Sequence, residues 1–455
     1  MLQSTAKLRT RTGCLRCRKR RKKCDETRPR CAGCTRNGLD CEWPSGKGHV
    51  DGRRGKRRQH AECDASPKPL SSLSIVRQPS SPVMPSPFHT EEHYYLHQHF
   101  TSTILPRLVR QSSIDQSYLL CLAPEYPPLM GAMISVAGMQ IASRPSWSVN
   151  CAVKSYLYTI ISLQKSLMQI EKAGDDDRLL ATVILLSASR LDMAPNVAPH
   201  TTASGYLLTQ RQSHLGTRSM APAVFDRICI ESFIYHASIM MLFEPSLDAL
   251  SSIRRQLDIP GYFSYVEKRD LSLPIQPILQ TSYDFFLSLA DATKLARISR
   301  SLVDAEITLW YHTWLRLLQW DQVDHTDDMS LKLYFNALQI LLLKTAPDLS
   351  NEEKALQISE SLQHGLQIIV SLEPEEYAPS YLLWPLAILG STSIFEKEKN
   401  AVKDYINLLI LSKRGGQAVW VLKRLNRVWN VAKFRADCPS SAMRLQGLQI
   451  LLDAT

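Results

Sequence analysis

Residues 14–41 read CLRCRKRRKKCDETRPRCAGCTRNGLDC and hold six of the 11 cysteines of this 455-residue chain. Their spacing is C-x2-C-x6-C-x6-C-x2-C-x6-C, so one unit, C-x2-C-x6-C, occurs twice in succession. At the overall cysteine frequency, five further matches at fixed offsets would arise in about one sequence in a hundred million, so the spacing needs a chemical cause. The six positions are Cys14, Cys17, Cys24, Cys31, Cys34 and Cys41.

Zinc ligation supplies that cause. A zinc ion takes four ligands in a tetrahedron, and a C-x2-C pair places two thiolates on one turn, close enough to bind one ion. Six cysteines cannot fill two separate four-ligand sites, but they can fill two sites that share two bridging sulfurs. The alternatives are a disulfide cluster and a single four-cysteine zinc with two bystanders. The N-terminus, MLQSTAKLRTRTG, has no apolar signal core, which predicts a reducing compartment and disfavours disulfides.

Positive charge is confined to one half of this cysteine motif. All six residues between Cys17 and Cys24 are basic, whereas the equivalent stretch 35–40 contains one basic residue, Arg36. Because Cys17 and Cys24 lie about two helical turns apart, we expect a short helix between them, with flanks that suit the major groove of DNA. The predicted DNA-binding residues are Arg18, Lys19, Arg20, Arg21, Lys22 and Lys23.

This motif resembles the fungal-type binuclear zinc cluster of transcription regulators. The six cysteines match, together with four basic residues of the first arm and Pro29 of the connecting loop. The resemblance implies two zinc ions per chain, with Cys14 and Cys31 as the bridging ligands. One ion would take Cys14, Cys17, Cys24 and Cys31, and the other would take Cys14, Cys31, Cys34 and Cys41.

The same resemblance implies how DNA is read. Members of the family place the corresponding helix end-on in the major groove and typically read CGG-like triplets. Carried over by position, Arg20 and Arg21 become base readers, while Arg18 and Lys23 become phosphate or supporting contacts. Lys19 and Lys22 depart from the residue types that are usual in the family.

A nuclear import signal is the alternative interpretation of the basic run RKRRKK at 18–23. It does not account for a zinc frame around the same residues. A second basic run, GRRGKRR at 52–58, is the better candidate for import or for loose phosphate contact through Lys56 and Arg57. A merely solvated charge run is the other interpretation of residues 52–58.

Charge also divides the chain into regions. The formal net charge of the chain is +11. Residues 1–60 hold 19 Lys/Arg and 5 Asp/Glu, so residues 61–455 hold 35 Lys/Arg and 38 Asp/Glu. A basic end on a nearly neutral body indicates a nucleic acid or an acidic surface as the partner. We predict a flexible tail over 1–10, the zinc cluster over 11–45, a basic and then Pro/Ser-rich disordered linker over 46–87, and a large all-α domain over 88–455. The predicted fold class is therefore mostly α.

Helical patterns dominate from residue 88 onward. IISLQKSLMQIEKA (160–173), LLATVILLSAS (179–189) and FNALQILLLKTA (335–346) are rich in Leu and Ala, and alternating period-2 runs are rare. The stretch 377–395 is the longest uncharged run, but its two prolines and polar residues favour a buried helix over a membrane span. We predict no association with a membrane.

Two segments of this region resemble the second type of fungal-specific transcription factor domain. They are PPLMGAMISVAGMQIAS at 127–143 and LLWPLAILGS at 382–391, the latter with a Trp384-Pro385 pair and Gly390. We expect Trp384 to be a core residue. No apolar heptads follow Cys41, so pairing of two copies is expected through the helical domain, if it occurs at all.

A catalytic site is not indicated by the sequence. His89 to His93 match the H-x-x-E-H peptidase pattern, but no distinctive third ligand follows, and the stretch lies where the linker ends. The remaining cysteines are isolated and are interpreted as single buried thiols; they are Cys63, Cys121, Cys151, Cys229 and Cys438.

We therefore predict a nuclear, sequence-specific regulator of RNA polymerase II genes that binds double-stranded DNA. Family precedent favours an activator of a metabolic gene set. A metalloenzyme and a metal-buffering or scaffold protein, each with an incidental import signal, are the alternatives. The first of these would need a catalytic constellation in 88–455, and the second does not explain why one arm of the motif is wholly basic.

Overall fold

The computed structural model divides the chain into two units, residues 1–80 and 81–455. Within them it describes 13–20, 22–43, 90–108, 117–141, 145–167, 173–188, 198–213, 222–244, 253–269, 281–322, 328–373, 379–411, 416–433 and 440–453. The predicted tail over 1–10, the linker over 46–87 and the basic run 52–58 lie outside these ranges.

The first unit is built around cysteine sulfurs rather than around an apolar core. Two short helices, α1 (Leu15–Lys19) and α2 (Ala32–Thr35), each begin directly after a cysteine. The helix predicted between Cys17 and Cys24 is placed differently, because α1 begins two residues before Cys17 and Lys22–Cys24 are not helical. A run of six like charges disfavours helix, and the chain must turn back so that the sulfur of Cys24 reaches the backbone of Cys14.

The second unit is all-α in its described residues, as the sequence predicted. A π-helical turn, Phe100–Ile104, follows α3, and a 3-10 turn, Ala173–Asp175, precedes α8. No helix among the described residues is both long and apolar enough to cross a membrane. The α-helices are α3 (Glu91–His99), α4 (Leu105–Leu108), α5 (Ser117–Leu122), α6 (Pro127–Gln140), α7 (Ser146–Leu167), α8 (Asp177–Ala188), α9 (Ala198–Gln212), α10 (Ala223–Met240), α11 (Ile259–Arg269), α12 (Tyr283–Ala296), α13 (Asp304–Gln322), α14 (Met329–Lys344), α15 (Asn351–Ser371), α16 (Pro379–Thr392), α17 (Glu396–Leu409), α18 (Gly416–Lys433) and α19 (Ser440–Asp453).

The two family-like segments form the centre of this unit. In α16 the Trp384 side chain is 0% exposed and stacks on Tyr334 of α14, with ring centroids 5.4 Å apart. A Cβ at Gly390 would lie 2.6 Å from Leu425, so this glycine permits close packing of α16 on α18. Helix α6 is buried along nearly its whole length, and Gly138 provides the same close approach to α7. The expectation that Trp384 is a core residue is confirmed.

Buried ion pairs link helices that are distant in the sequence. Arg211 of α9 donates to Asp226 of α10 at 2.6 Å and to Asp177 of α8 at 2.7 Å. Asp226 also accepts from Arg269 of α11, and Asp177 accepts from the Tyr118 hydroxyl. Because each buried charge has a partner, breaking one pair would leave an uncompensated charge in the core.

One local prediction differs from the structure. In the predicted helical stretch 160–173, residues 160–167 belong to α7, and residues 168–172 lie outside the described ranges. Cys121 is exposed rather than buried, because it lies on the short helix α5, which has no buried residue. Cys151 and Cys229 are buried as expected, and Cys63 and Cys438 lie outside the described residues.

Candidate metal centre and nucleic-acid interface

Six cysteine sulfurs converge into two overlapping groups of four. The groups are Cys14/Cys17/Cys24/Cys31 and Cys14/Cys31/Cys34/Cys41, and the sulfurs within each group lie within 4.8 Å of one another. Cys14 Sγ lies 3.6 Å from Cys31 Sγ and 3.7 Å from Cys34 Sγ, and Cys17 Sγ lies 3.6 Å from Cys31 Sγ. Four sulfurs at about 2.3 Å from a tetrahedral zinc are about 3.8 Å apart. These distances fit two zinc ions that share two sulfurs.

The two halves of the cluster are equivalent by a shift of 17 residues. The backbone N–H of Cys14 donates to Cys24 Sγ at 3.4 Å, and that of Cys31 donates to Cys41 Sγ at 3.3 Å. Likewise, the N–H of Cys17 donates to Cys14 Sγ at 3.4 Å, and that of Cys34 donates to Cys31 Sγ at 3.3 Å. The repeated sequence unit therefore folds into repeated geometry, with α1 and α2 in matching places.

Cys14 and Cys31 also differ electrostatically from the other cysteines. Burial raises the pKa of both thiols, but hydrogen bonds from the N–H of Cys17 and of Cys34, together with neighbouring thiols, outweigh burial and lower the pKa of each. Burial instead raises the pKa of Cys34 to about 12. The hydrogen bonds to the two sulfurs common to both groups therefore favour the thiolate form that zinc ligation requires.

Hydrogen bonds to the Asp25 side chain stabilise the loop between the two halves of the cluster. Asp25 Oδ2 accepts from the N–H of Ala32 at 3.1 Å and from the Thr27 hydroxyl at 2.5 Å. These bonds lower the pKa of Asp25, the Thr27 bond most. The side chain of Asp25 therefore ties the end of the first half to the start of α2.

Trp43 supports the same loop after the last cysteine. Its indole Nε1 donates to Pro29 O at 2.8 Å, and the Arg28 guanidinium lies 4.9 Å from the Trp43 ring centroid. The N–H of Leu15 also donates to Glu42 O at 2.8 Å. These contacts of Trp43 were not predicted from the sequence. The sequence feature that could have indicated them is an aromatic residue two positions after Cys41.

The basic arm lies at the surface of the cluster. Lys19, Arg20, Lys22 and Lys23 are exposed, whereas the side chain of Arg18 and the whole of Arg21 lie outside the described part of the chain. Arg16, on α1, is exposed beside them, although the prediction passed over it as a spacer between two ligands. The structure therefore presents several cations on one half of the metal frame.

A second metal site is not found among the described residues, where the two cysteine groups alone could hold an ion. His93 of the H-x-x-E-H segment lies on α3, as does His97 one turn further on, and His89 lies outside the described ranges. No disulfide joins any two of the described cysteines. The peptidase and disulfide interpretations have no support in the described part of the chain.

Together these features define a class of protein: a two-zinc, six-cysteine module with one basic face, carried by a chain whose other unit is all-α. Comparison with family models agrees with this class. Residues 12–48 match the fungal Zn(2)-Cys(6) binuclear cluster domain, and residues 93–441 match the fungal-specific transcription factor domain. The chain belongs to the family of fungal zinc cluster transcription factors, and its cluster binds two zinc ions.

Curated relatives match over limited stretches. The transcription factor lfc1 of Flammulina velutipes is 34% identical over 93 residues, which cover 17% of this chain and 33% of the relative. The Zn(2)-C6 fungal-type transcription factor afumD of Aspergillus fumigatus is 32% identical over 143 residues, 30% of this chain and 33% of the relative. The zinc cluster transcription factor CZF1 of Candida albicans is 64% identical over 36 residues, 8% of this chain and 9% of the relative.

The chain thus spans a third or less of the length of these relatives. No solved structure matches it.

Proposed function

We propose that the chain is a sequence-specific, DNA-binding regulator of genes transcribed by RNA polymerase II, acting in the nucleus. Residues 11–45 would form the DNA-binding module, with the six cysteines as its zinc ligands, and residues 88–455 a regulatory domain. The proposal draws on the family of the chain and on the names of its relatives, several of which are transcription factors.

The proposal rests on one observation: the six cysteines form two equivalent halves, whereas the basic residues between them are concentrated in the first half. The 17-residue shift that superposes the cysteines pairs Lys19 with Arg36, but pairs Arg20 with Asn37 and Lys23 with Asp40. Zinc ligation alone would not require this difference. Two zinc ions and six thiolates sum to −2, so any basic residue near them offsets that charge, but an exposed all-basic half can also offset the charge of DNA phosphates.

Base reading is assigned to the arginines of the basic arm. An arginine donates two hydrogen bonds to O6 and N7 of a guanine, whereas lysines bind phosphate as point charges. We assign Arg20 and Arg21 to a CGG-like triplet, and Arg18, Lys19, Lys22 and Lys23 to phosphate or supporting contacts. Arg16 joins the second group because of its exposed position on α1.

The pseudo-symmetry provides a matched test of this proposal. Lys19→Ala and Arg36→Ala each remove one exposed cation from equivalent positions of the two halves. The salt slope is the slope of the logarithm of the DNA-binding constant against the logarithm of the salt concentration. We expect Lys19→Ala to reduce the magnitude of this slope by about one, and Arg36→Ala to leave it unchanged. Equal effects of the two substitutions would show that the basic half does not face DNA.

A metalloenzyme or a metal-buffering protein would behave differently in the same assay. Neither function requires salt-sensitive binding to duplex DNA, and neither predicts a difference between the Lys19→Ala and Arg36→Ala variants. We regard the chain as a non-enzyme on the basis of its family. The helical domain would then control activity, as in an activator of a metabolic gene set, and two copies would pair through it rather than through residues 1–87.

A further inference from the structure

The segment 413–436, KRGGQAVWVLKRLNRVWNVAKFRA, has the most one-sided charge in the second unit. It contains seven Lys/Arg and no Asp/Glu, although residues 61–455 as a whole carry three more acidic than basic residues. Helix α18 occupies most of this segment. Its charge is therefore a local feature and does not reflect the composition of the domain.

The exposed face of α18 presents hydrogen-bond donors in a regular array. Lys423, Asn426, Arg427 and Asn430 are exposed and follow the i, i+3, i+4, i+7 spacing that places side chains on one face of a helix. We name these four residues the α18 surface. Neither Lys423 nor Arg427 forms an ion pair within the described residues. Within the described part of the chain, both cations are therefore available to an external anion.

The opposite face holds the helix rigidly in the domain. Val421, Leu425 and Val428 are buried, and the indole Nε1 of Trp429 donates to Gly390 O of α16 at 2.8 Å. Buried Arg424 donates to Phe243 O at 3.2 Å. The α18 surface is thus carried on a fixed backbone and would lose little conformational freedom on binding.

Acidic residues of the neighbouring helix α17 do not neutralise the α18 surface. Glu398 is engaged by Arg444, and Glu396 is engaged by Lys399. Asp404 is exposed on α17 but forms no ion pair with α18 in the described structure.

We propose that the α18 surface is a second contact to the phosphate backbone of DNA, an inference that rests on the proposed function of the zinc cluster. Lys, Arg and Asn are the residue types that donate to phosphate oxygens. A protein partner is favoured less, because the centre of a protein interface is rich in aromatic residues and poor in charge. Val431, at the edge of this surface, is its exposed apolar neighbour.

The covalent link to the cluster supports DNA as the partner. Residues 44–89 join the two described units, and 46 residues can span up to about 150 Å when fully extended. Because the two units belong to one chain, DNA held by the zinc cluster is also tethered to the α18 surface, and the second contact is intramolecular. Weak contacts to phosphate then suffice to add affinity without adding sequence preference.

The test uses the full chain and two duplexes at several salt concentrations, measured by fluorescence anisotropy. One duplex contains only the site selected by the protein, and the other extends it by about 30 base pairs on each side. For Lys423→Gln/Arg427→Gln, we expect the salt slope on the long duplex to fall by about two, with no change on the short duplex. The control is Lys154→Gln/Lys268→Gln, which removes exposed cations of α7 and α11 and should change neither slope.

An unchanged slope on the long duplex would overturn the proposal. Loss of binding to polyglutamate without an effect on DNA would also overturn it, and would indicate an acidic protein partner instead. Failure of the wild-type chain to bind the short duplex would be a separate result, since it would contradict the proposed function of the cluster. It would overturn the α18 contact as well, because that contact acts on DNA held by the cluster, whereas an unchanged long-duplex slope alone would leave the function of the cluster intact.

Discussion

Cys14 and Cys31 differ from the other four cysteines because each belongs to both four-sulfur groups. Each accepts a backbone N–H from the cysteine three positions ahead, as Cys24 and Cys41 each accept one from the cysteine ten positions behind. Cys24 and Cys41 belong to one group each. The loss of a shared sulfur should therefore have a larger effect than the loss of an unshared one.

Replacement of a shared ligand is the first prediction. Cys14→Ser is expected to release both zinc ions, whereas Cys24→Ser should disturb one site and retain more metal. The reason is that a serine hydroxyl is a poor zinc ligand and that cluster folding is coupled to metal binding. Zinc per chain, measured by elemental analysis, checks this. One zinc per wild-type chain, or equal losses in the two variants, would contradict it.

The second prediction concerns the reading of bases by Arg21. Arg21→Ala should reduce the free energy of binding by roughly 1–3 kcal/mol on the preferred site and by much less on random DNA, because the paired hydrogen bonds to a guanine are lost. Arg21→Lys should also relax specificity, since an ammonium lacks the two-pronged geometry. Binding to specific and scrambled duplexes measures both effects. If Arg21→Ala weakens the two duplexes equally, Arg20 becomes the next reader to test.

At this scale the convergence of the six cysteine sulfurs was predictable from the sequence, because tetrahedral ligation imposes fixed spacings whatever the surrounding sequence. It did not predict the support of Trp43 for Pro29 or the role of Asp25 at α2. Those contacts join residues 7 to 14 positions apart across an irregular loop, where no periodic pattern constrains the pairing.

The junction of α15, α16, α17 and α19 depends on one buried carboxylate. Glu398 accepts from Arg444 through both oxygens, at 2.9 and 3.0 Å, and also from Gln363 at 3.1 Å. Both members of the pair are 6% exposed. Arg444 donates in addition to Thr392 O, at the end of α16. One ion pair thus connects four helices.

Disruption of this pair is the third prediction. Glu398→Ala should lower the free energy of unfolding by about 3–5 kcal/mol, because Arg444 would remain as an unpaired buried charge. In the Glu398→Ala background, Arg444→Ala should lower the free energy of unfolding much less than it does in the wild-type chain. Urea unfolding of the two single variants and the double variant measures the coupling. Additive losses would contradict the role of the pair.

The same pair predicts a dependence on pH. Burial tends to raise the pKa of Glu398, but hydrogen bonds from Arg444 and from backbone N–H groups outweigh it and hold the pKa below the ordinary 4.5. The stabilisation is therefore present above about pH 4.5 and is lost as the pH falls through the lowered value. Glu398→Gln should show a smaller loss of stability over that acidic range than the wild-type chain.

Helix identity was predictable from the sequence, and helix boundaries were not. Apolar periodicity correctly indicated α8 and α14, whose buried sides dominate their composition. Two-turn spacing, by contrast, predicted a helix between Cys17 and Cys24, whereas α1 ends at Lys19. Sulfur geometry determines where α1 ends, and that is a tertiary constraint that local spacing does not contain.

At the scale of the whole molecule, metal and apolar burial stabilise the two units separately. The first unit is organised around its sulfurs, and the second packs its helices around Trp384 and its neighbours. We therefore expect the fragment 1–87 to bind two zinc ions and to remain monomeric, since no heptads follow Cys41. Sedimentation of the zinc-loaded fragment checks this prediction. A stable dimer would contradict it.

Selection of binding sites from random duplex DNA by the purified, zinc-loaded chain shows whether the cluster reads a base sequence. We expect enrichment of a CGG-like triplet that depends on zinc and is lost in Cys14→Ser. Lys423→Gln/Arg427→Gln should recover the same triplet, because contacts to phosphate carry no sequence information. Recovery of unrelated sequences without a common triplet, or of the same triplet after removal of zinc, would contradict the account.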